Sequence, residues 1–142
     1  MLIPDINVLV CALRRDAARH ERYLDWLQGA LGGAEPVGLV APVVAGLLRV
    51  VTNPRIFASP TEPEQALEFV DAALGAPACV VPPPSGRHMA TFLSLCRTSG
   101  ARGDLIPDAW LAATAIDLDA TLVTADRGFA RFLGLRWRHP LD

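Results

Sequence analysis

Lysine is missing altogether: all 13 basic residues other than histidine are arginine. That absence excludes Schiff-base chemistry, a Walker-A phosphate clamp and a lysine general base. Cysteine is scarce. Cys11, Cys79 and Cys96 are odd in number, far apart and form no CxxC pair. This argues against a disulfide framework or a zinc site and predicts reduced, buried thiols in a cytoplasmic protein. No apolar run of roughly the eighteen residues a membrane helix needs escapes a charge, proline or glycine break, so no span is expected. The first apolar stretch has Asp5 inside it and its positive charges after it, the reverse of a signal peptide. Excess charge of one sign is absent too. The net charge of −2 excludes a polycation that coats nucleic acid or an anionic membrane.

What is present is one domain's worth of chain, 142 residues, read as a single unit over 1–142. Half the residues are hydrophobic, enough for a packed core. A mean hydropathy of +0.31 is high for a small monomer, so a dimer face and a groove for a partner's amphipathic segment are expected. Short apolar runs alternate with helical patterns. Strands are predicted at Met1–Asp5, Val37–Val40, Cys79–Val81, Thr121–Thr124 and Leu135–Trp137. Helices are predicted at Asn7–Leu13, Ala17–Leu31, Val43–Thr52, Glu62–Leu74, from Ser85 or Gly86 to about Thr98, Asp108–Leu118 and Phe129–Phe132. Pro107 suits a helix's first turn. The alternation implies an α/β sandwich around a largely parallel sheet.

Most acids read as solvated helix faces: Glu62, Glu64, Glu68 and Asp71, and Asp117 and Asp119 at a helix end. His20, His88 and His139 show no ligand spacing and read as surface or helix positions. Three acids differ. Asp5 ends the first apolar strand and Asp126 follows another, and in open α/β sheets the carboxyl ends of strands face the active crevice. Asp108 stands at the start of its helix with Leu111, Ala112 and Ala115 at its i+3, i+4 and i+7 positions, so its carboxylate shares the inward face. Plain alternatives exist: a helix cap for Asp5, a turn for Asp126, a helix-dipole role for Asp108. If the three converge, two bare carboxylates about 4 Å apart repel by roughly 4 kcal/mol and must share a proton or bind a cation. With oxygen ligands only, that cation would be Mg²⁺, or Mn²⁺, rather than zinc, and phosphodiester chemistry is its usual use.

These residues resemble the PIN-domain ribonucleases, specifically the VapC-type toxins of bacterial toxin–antitoxin pairs. The resemblance spans nearly the whole chain. It rests on Asp5-Ile6-Asn7-Val8-Leu9, on Leu48 to Phe57 (LRVVTNPRIF), on Ile106 to Ala113 (IPDAWLAA), on Thr124 to Phe129 (TADRGF) and on Gly134 to Trp137 (GLRW). It implies a three-layer fold with helices flanking a short, mainly parallel sheet. It also implies a Mg²⁺-dependent endoribonuclease acting on structured RNA such as tRNA or rRNA, a homodimer, and a VapB-type antitoxin that blocks the site. Position by position, Asp5, Asp108 and Asp126 match the family's acidic metal-binding cluster, and Asn7 and Thr124 match residues that buttress it. One position departs: where the family often has a glutamate, this chain has Gly46, and Asp104 is an auxiliary acid that could compensate.

RNA affinity must come from local arginine. Arg127, Arg131, Arg136 and Arg138 interleave with Phe129, Phe132 and Trp137, and Arg49 and Arg55 form a second group. Two other functions compete. A PIN-like module could bind RNA or an antitoxin without cutting, with Gly46 marking a weakened site. A magnesium-dependent aspartyl phosphotransferase or receiver domain would also place an acid after its first strand. Against that, Asn7 stands where a second acid belongs, and the lysine many of these use is missing.

Overall fold

The first apolar run becomes strand β1 (Leu2–Pro4), buried throughout, in a computed structural model that describes residues Met1–Asp142. Four more short strands follow: β2 (Val37–Gly38), β3 (Cys79–Val80), β4 (Thr121–Val123) and β5 (Arg136–Arg138). All five are parallel, in the order β3-β2-β1-β4-β5, with Leu2 beside Val37 on one side and Thr121 on the other. Six helices connect them: α1 (Ile6–Leu13), α2 (His20–Leu31), α3 (Ala41–Val51), α4 (Pro63–Leu74), α5 (His88–Ser99) and α6 (Leu105–Asp117).

The chain builds outward from β1 to β2 and β3, then crosses back to β4 on the other side of β1. Parallel crossovers are right-handed, so reversing direction puts α1–α4 on one face and α5–α6 on the other. The contacts agree: α1 packs on α2 and α3, α3 on α4, and α5 on α6. This is the three-layer α/β arrangement. Ile3, Val37 and Leu122 of the sheet are wholly buried, as are Val8, Leu47 and Val51 of the helices, all in one core. The inner stripe of α6 is small, with Ala109, Ala112, Ala113 and Ala115 wholly buried, which lets that helix approach the sheet closely. None of the helices is long and apolar enough to cross a membrane.

Several boundaries move from their expected places. Helix α2 starts at His20, not Ala17, because Arg19 adopts a left-handed conformation (φ 60°) that a helix cannot continue. The segment expected as a helix over Phe129–Phe132 is a 3₁₀ turn over Arg127–Arg131. The last strand is Arg136–Arg138, one residue later than expected. Helix α6 begins at Leu105, which still leaves Pro107 in the first turn, where its missing N–H costs nothing.

Two residues read as surface groups are instead interior. The Asp117 side chain is only 2 % exposed and His88 is buried. Asp117 sits at the end of α6, where that helix packs on α5, so it faces the neighbouring helix rather than water. The Ser85 hydroxyl donates to its Oδ2 at 2.9 Å and the Thr91 hydroxyl to its Oδ1 at 2.7 Å. His88 Nδ1 stands 3.7 Å from Oδ2. Asp119, by contrast, is exposed as expected and pairs with Arg136 at 2.7 Å. On the other face, buried Arg14 lies over the Phe57 ring at 3.7 Å and donates to the Ser59 carbonyl, fixing the loop after α3. Asp117→Ala strips the acceptor from the Ser85 and Thr91 hydroxyls. It is expected to lower unfolding free energy by about 1–3 kcal/mol in a urea titration.

Candidate active site

Strands β1 and β4 are adjacent, yet the connections leaving their carboxyl ends run to opposite faces of the sheet. A crevice opens at such a point in parallel sheets. Asp5 follows β1 directly and Asp126 lies three residues beyond β4. The helix that precedes a strand runs antiparallel to it, so α6 brings its first turn, and Asp108, to the same edge. The starts of α1 and α3 lie there as well. Asp5, Ile6, Pro42, Val43, Pro107, Asp108, Trp110 and Leu111 line one cavity of about 240 Å³.

Asp5 is 7 % exposed, and both its oxygens are engaged. Oδ1 accepts from the Ile6 N–H at 2.6 Å, capping α1. Oδ2 accepts from the Thr124 hydroxyl at 2.7 Å and from Asn7 Nδ2 at 2.5 Å. Asn7 also donates to Thr124 Oγ1 at 3.0 Å, and its Oδ1 accepts from the Ala125 N–H at 3.1 Å. The Asp126 N–H closes the network onto Thr124 Oγ1 at 3.0 Å. Asn7 and Thr124 therefore hold the ends of β1 and β4 together around Asp5. The capping reading and the buried-site reading of Asp5 are both realised. Asp126 is exposed, and its Oδ1 accepts from the Gly128 N–H at 2.7 Å in the turn expected for it.

Electrostatics place the acids in one neighbourhood. Burial, then the charges of Asp5 and Asp126, push the Asp108 carboxyl up from 3.8 to about 6; Arg131 pulls it down and Asp104 adds a last upward push. Burial also raises the pKa of Asp5, against the hydrogen bonds from Thr124, Ile6 and Asn7, with Asp126 adding repulsion. Asp104, exposed just before α6, thus belongs to the same field. No three acidic, histidine or cysteine side chains form a finished ligand set by themselves. The cysteines are free and half-buried, not buried as expected, and this partial burial raises the thiols of Cys11 and Cys79.

The arginines divide. Arg131, held by its Nε donating to the Gly128 carbonyl at 2.9 Å, acts on Asp108. Arg127 is exposed in the same 3₁₀ turn. Arg136 is tied to Asp119 at the opposite end of the sheet, and Arg138 lines a cavity that Asp25 and Trp26 of α2 also line. Arg49 and Arg55 are exposed on α3 and the loop after it, outside the charges that act on Asp108.

Gly46 faces Ile6. A Cβ built on Gly46 would stand 2.3 Å from Ile6 Cδ1, so the isoleucine fills the space a side chain there would need. Sequence reasoning registered Gly46 only as a lost acid and missed its partner. The signal was a branched apolar residue directly after Asp5. Trp110 was also passed over, although it stands two residues beyond an inward-facing acid.

The PIN-domain profile matches residues 2–134, and the chain belongs to the PIN-domain family, among the VapC ribonucleases. Ribonuclease VapC43 of Mycobacterium tuberculosis is 49% identical over 142 residues, covering 100% of this chain and 97% of that protein. Ribonuclease VapC25 of the same organism is 37% identical over 140 residues, 99% of each. Among solved structures, VapBC2 from Rickettsia felis bound to a promoter DNA fragment superposes with a TM-score of 0.72 at 20% identity, covering 97% of each chain. FitAcB from Neisseria gonorrhoeae does so with a TM-score of 0.63 at 25% identity, covering 99% of this chain and 98% of that one.

Gly46→Ala gains about 1 kcal/mol of helix propensity inside α3 but must displace Ile6, so its net effect on stability is expected within about 1 kcal/mol of zero. With Ile6→Ala already in place the gain should appear uncancelled, giving a coupling energy of about 0.5 kcal/mol or more in a double-mutant unfolding cycle. A second expectation concerns pH. A carboxyl whose pKa is raised in the fold costs stability only where it is ionised. The loss is therefore absent below its unfolded value of 3.8 and grows as pH rises to about 6. With EDTA present, Asp108→Asn should match the wild type at the acid end and exceed it by about 1 kcal/mol at neutral pH, after allowance for solvent screening. Urea titrations across that range measure the difference.

Proposed function

We propose that this chain is a Mg²⁺-dependent endoribonuclease, the toxin of a type II toxin–antitoxin pair, which cleaves structured RNA (tRNA or rRNA) and so inhibits translation. The observation that carries the reading is Asp108, pushed up to about 6 by burial and by the Asp5 and Asp126 charges while sharing a cavity with Asp5. A carboxyl cluster that resists its own ionisation favours a bound cation. The donors are oxygens only, which suits Mg²⁺, with Mn²⁺ an alternative. Asp5, Asp108 and Asp126 would hold the ion, with Asp104 auxiliary. Bound there, Mg²⁺ supplies a polarised phosphoryl oxygen and an activated water.

The chain's own residues do the rest. Thr124 and Asn7 hold the Asp5 carboxylate in one orientation, so little reorganisation is left for the reaction. Arg131, beside Asp108, is placed to receive a phosphate, and Arg127 extends that positive surface. Arg49 is a more distant RNA contact. An apolar groove of about 280 Å³ between α2 and α4, lined by Leu24, Leu27 and Phe69, suits an apolar segment of a VapB-type antitoxin. Met89 and Leu93, exposed one turn apart on α5, supply an apolar face for a homodimer. The Ile6 side chain packed into the Gly46 position favours a second reading, a module that binds RNA or an antitoxin without cutting.

Asp5→Asn and Asp108→Asn are each expected to abolish RNA cleavage and growth inhibition. EDTA should silence the wild type. Full cleavage by both variants in EDTA refutes the assignment. Calorimetric titration with Mg²⁺ separates the two readings, since a non-cutting module takes up no metal and cleaves nothing.

A further inference from the structure

Trp110 lies two residues beyond Asp108 on α6 and forms a wall of the cavity that Asp5 and Asp108 share. The cavity is two-sided in chemistry. Carboxylates mark one part, while Ile6, Pro42, Val43, Pro107, Trp110 and Leu111 make the rest apolar. An ion and a phosphate have no use for that apolar part, whereas the flat face of a nucleobase does.

The indole is held from behind. The His88 ring meets it at 4.1 Å between centroids with the planes 70° apart, and the Phe92 ring meets it at 5.3 Å and 67°. Both are the T-shaped arrangement that aromatic quadrupoles favour. His88 is buried and its Nε2 has no hydrogen-bond partner. A buried polar nitrogen without a hydrogen-bond partner is costly, and the Trp110 ring is the aromatic neighbour that the His88 ring packs against. On the other side of His88, Asp117 is fixed by the Ser85 and Thr91 hydroxyls. A buried polar group has thus been placed where it braces one tryptophan of the cavity, and nothing in the carboxylate cluster requires that brace.

We propose that Trp110 is the stacking wall for an unpaired RNA base next to the phosphate that a cation at Asp5 and Asp108 would bind, and that His88 is a positioning residue that braces it. The inference rests on the ribonuclease reading. Base–aromatic stacking tolerates any base and is worth about 1–3 kcal/mol, a factor of about 5 to 150 in affinity. It also requires the base to be unpaired, so the site would select single-stranded or looped RNA over a continuous duplex.

The test uses full-length protein carrying Asp5→Asn, with Mg²⁺ present and Trp26 and Trp137 changed to Phe, so that emission reports Trp110 alone. The probe is a short single-stranded oligoribonucleotide of mixed sequence. The expected result is saturable quenching by the single strand and at least fivefold weaker binding of the same sequence annealed to its complement. In parallel, Trp110→Leu should weaken binding about 5- to 150-fold with an unchanged salt slope, while Trp110→Phe stays within about threefold of the parent. In the cleaving protein, Trp110→Leu should raise KM and leave kcat within about threefold. Absence of quenching, equal losses in the Leu and Phe variants, or equal affinity for duplex and single strand overturns the proposal. Absence of RNA cleavage by the wild-type protein with Mg²⁺ present instead overturns the ribonuclease reading, so the two failures are distinct.

Discussion

The Asp5 carboxylate ties together the ends of two strands that are nearly the whole chain apart in sequence. Its Oδ2 takes the Thr124 hydroxyl and the Asn7 amide while its Oδ1 caps α1. Four of its neighbours at this edge depend on that arrangement. Asn7 is turned so that its oxygen meets the Ala125 N–H, and Thr124 is turned so that it receives the Asp126 N–H. Asp126 and Asp108 then sit close enough for their charges to be felt. A buried carboxylate carries a desolvation cost, and hydrogen bonds from three donors offset part of it. The remaining cost leaves the Asp5 pKa raised, and Asp108 moves up further through its own burial and the charges of Asp5 and Asp126.

The rest of the fold serves this edge by placing helix starts there. Each helix that follows a strand directly begins at the strands' carboxyl ends, and α6, which leads back into β4, begins there too. Partial positive charge at the starts of α1 and α6 faces the acids and moderates their repulsion. Packing then decides which side of the crevice is polar. The contact between Ile6 and Gly46 brings α1 and α3 close and leaves that side apolar. The opposite side, around Arg131 and Asp126, is charged and open. A site with one apolar and one charged side suits a ligand that is itself half aromatic base and half phosphate.

Much of the architecture was legible in the chain because hydrophobic period and turn residues act locally. The strand after Met1, the helix stopped before Asn53-Pro54 and the helix through Ala109–Ala115 all follow from spacing alone. Asp5 and Asp108 stood out for the same reason, since each is an acid where the pattern calls for an apolar or strand-end residue. The misreadings share one cause. Asp117 and His88 have ordinary surface identities, and only the packing of α5 on α6 makes them interior. The C-terminal arginines looked like one group because they are neighbours in sequence. A turn and a parallel strand carry Arg131 and Arg136 to opposite ends of the sheet.

The sequence by itself determined the element types, the absence of lysine and disulfide chemistry, and which acids were unusual, because these depend on residue identity and short-range period. Tertiary structure alone decided that Asp5, Asp108 and Asp126 share one electrostatic neighbourhood and that Ile6 occupies the space above Gly46. It also decided that Trp110 is braced by a buried histidine. Those outcomes depend on contacts between residues remote along the chain, formed only when the crossover from β3 to β4 sets strand against strand and helix against helix.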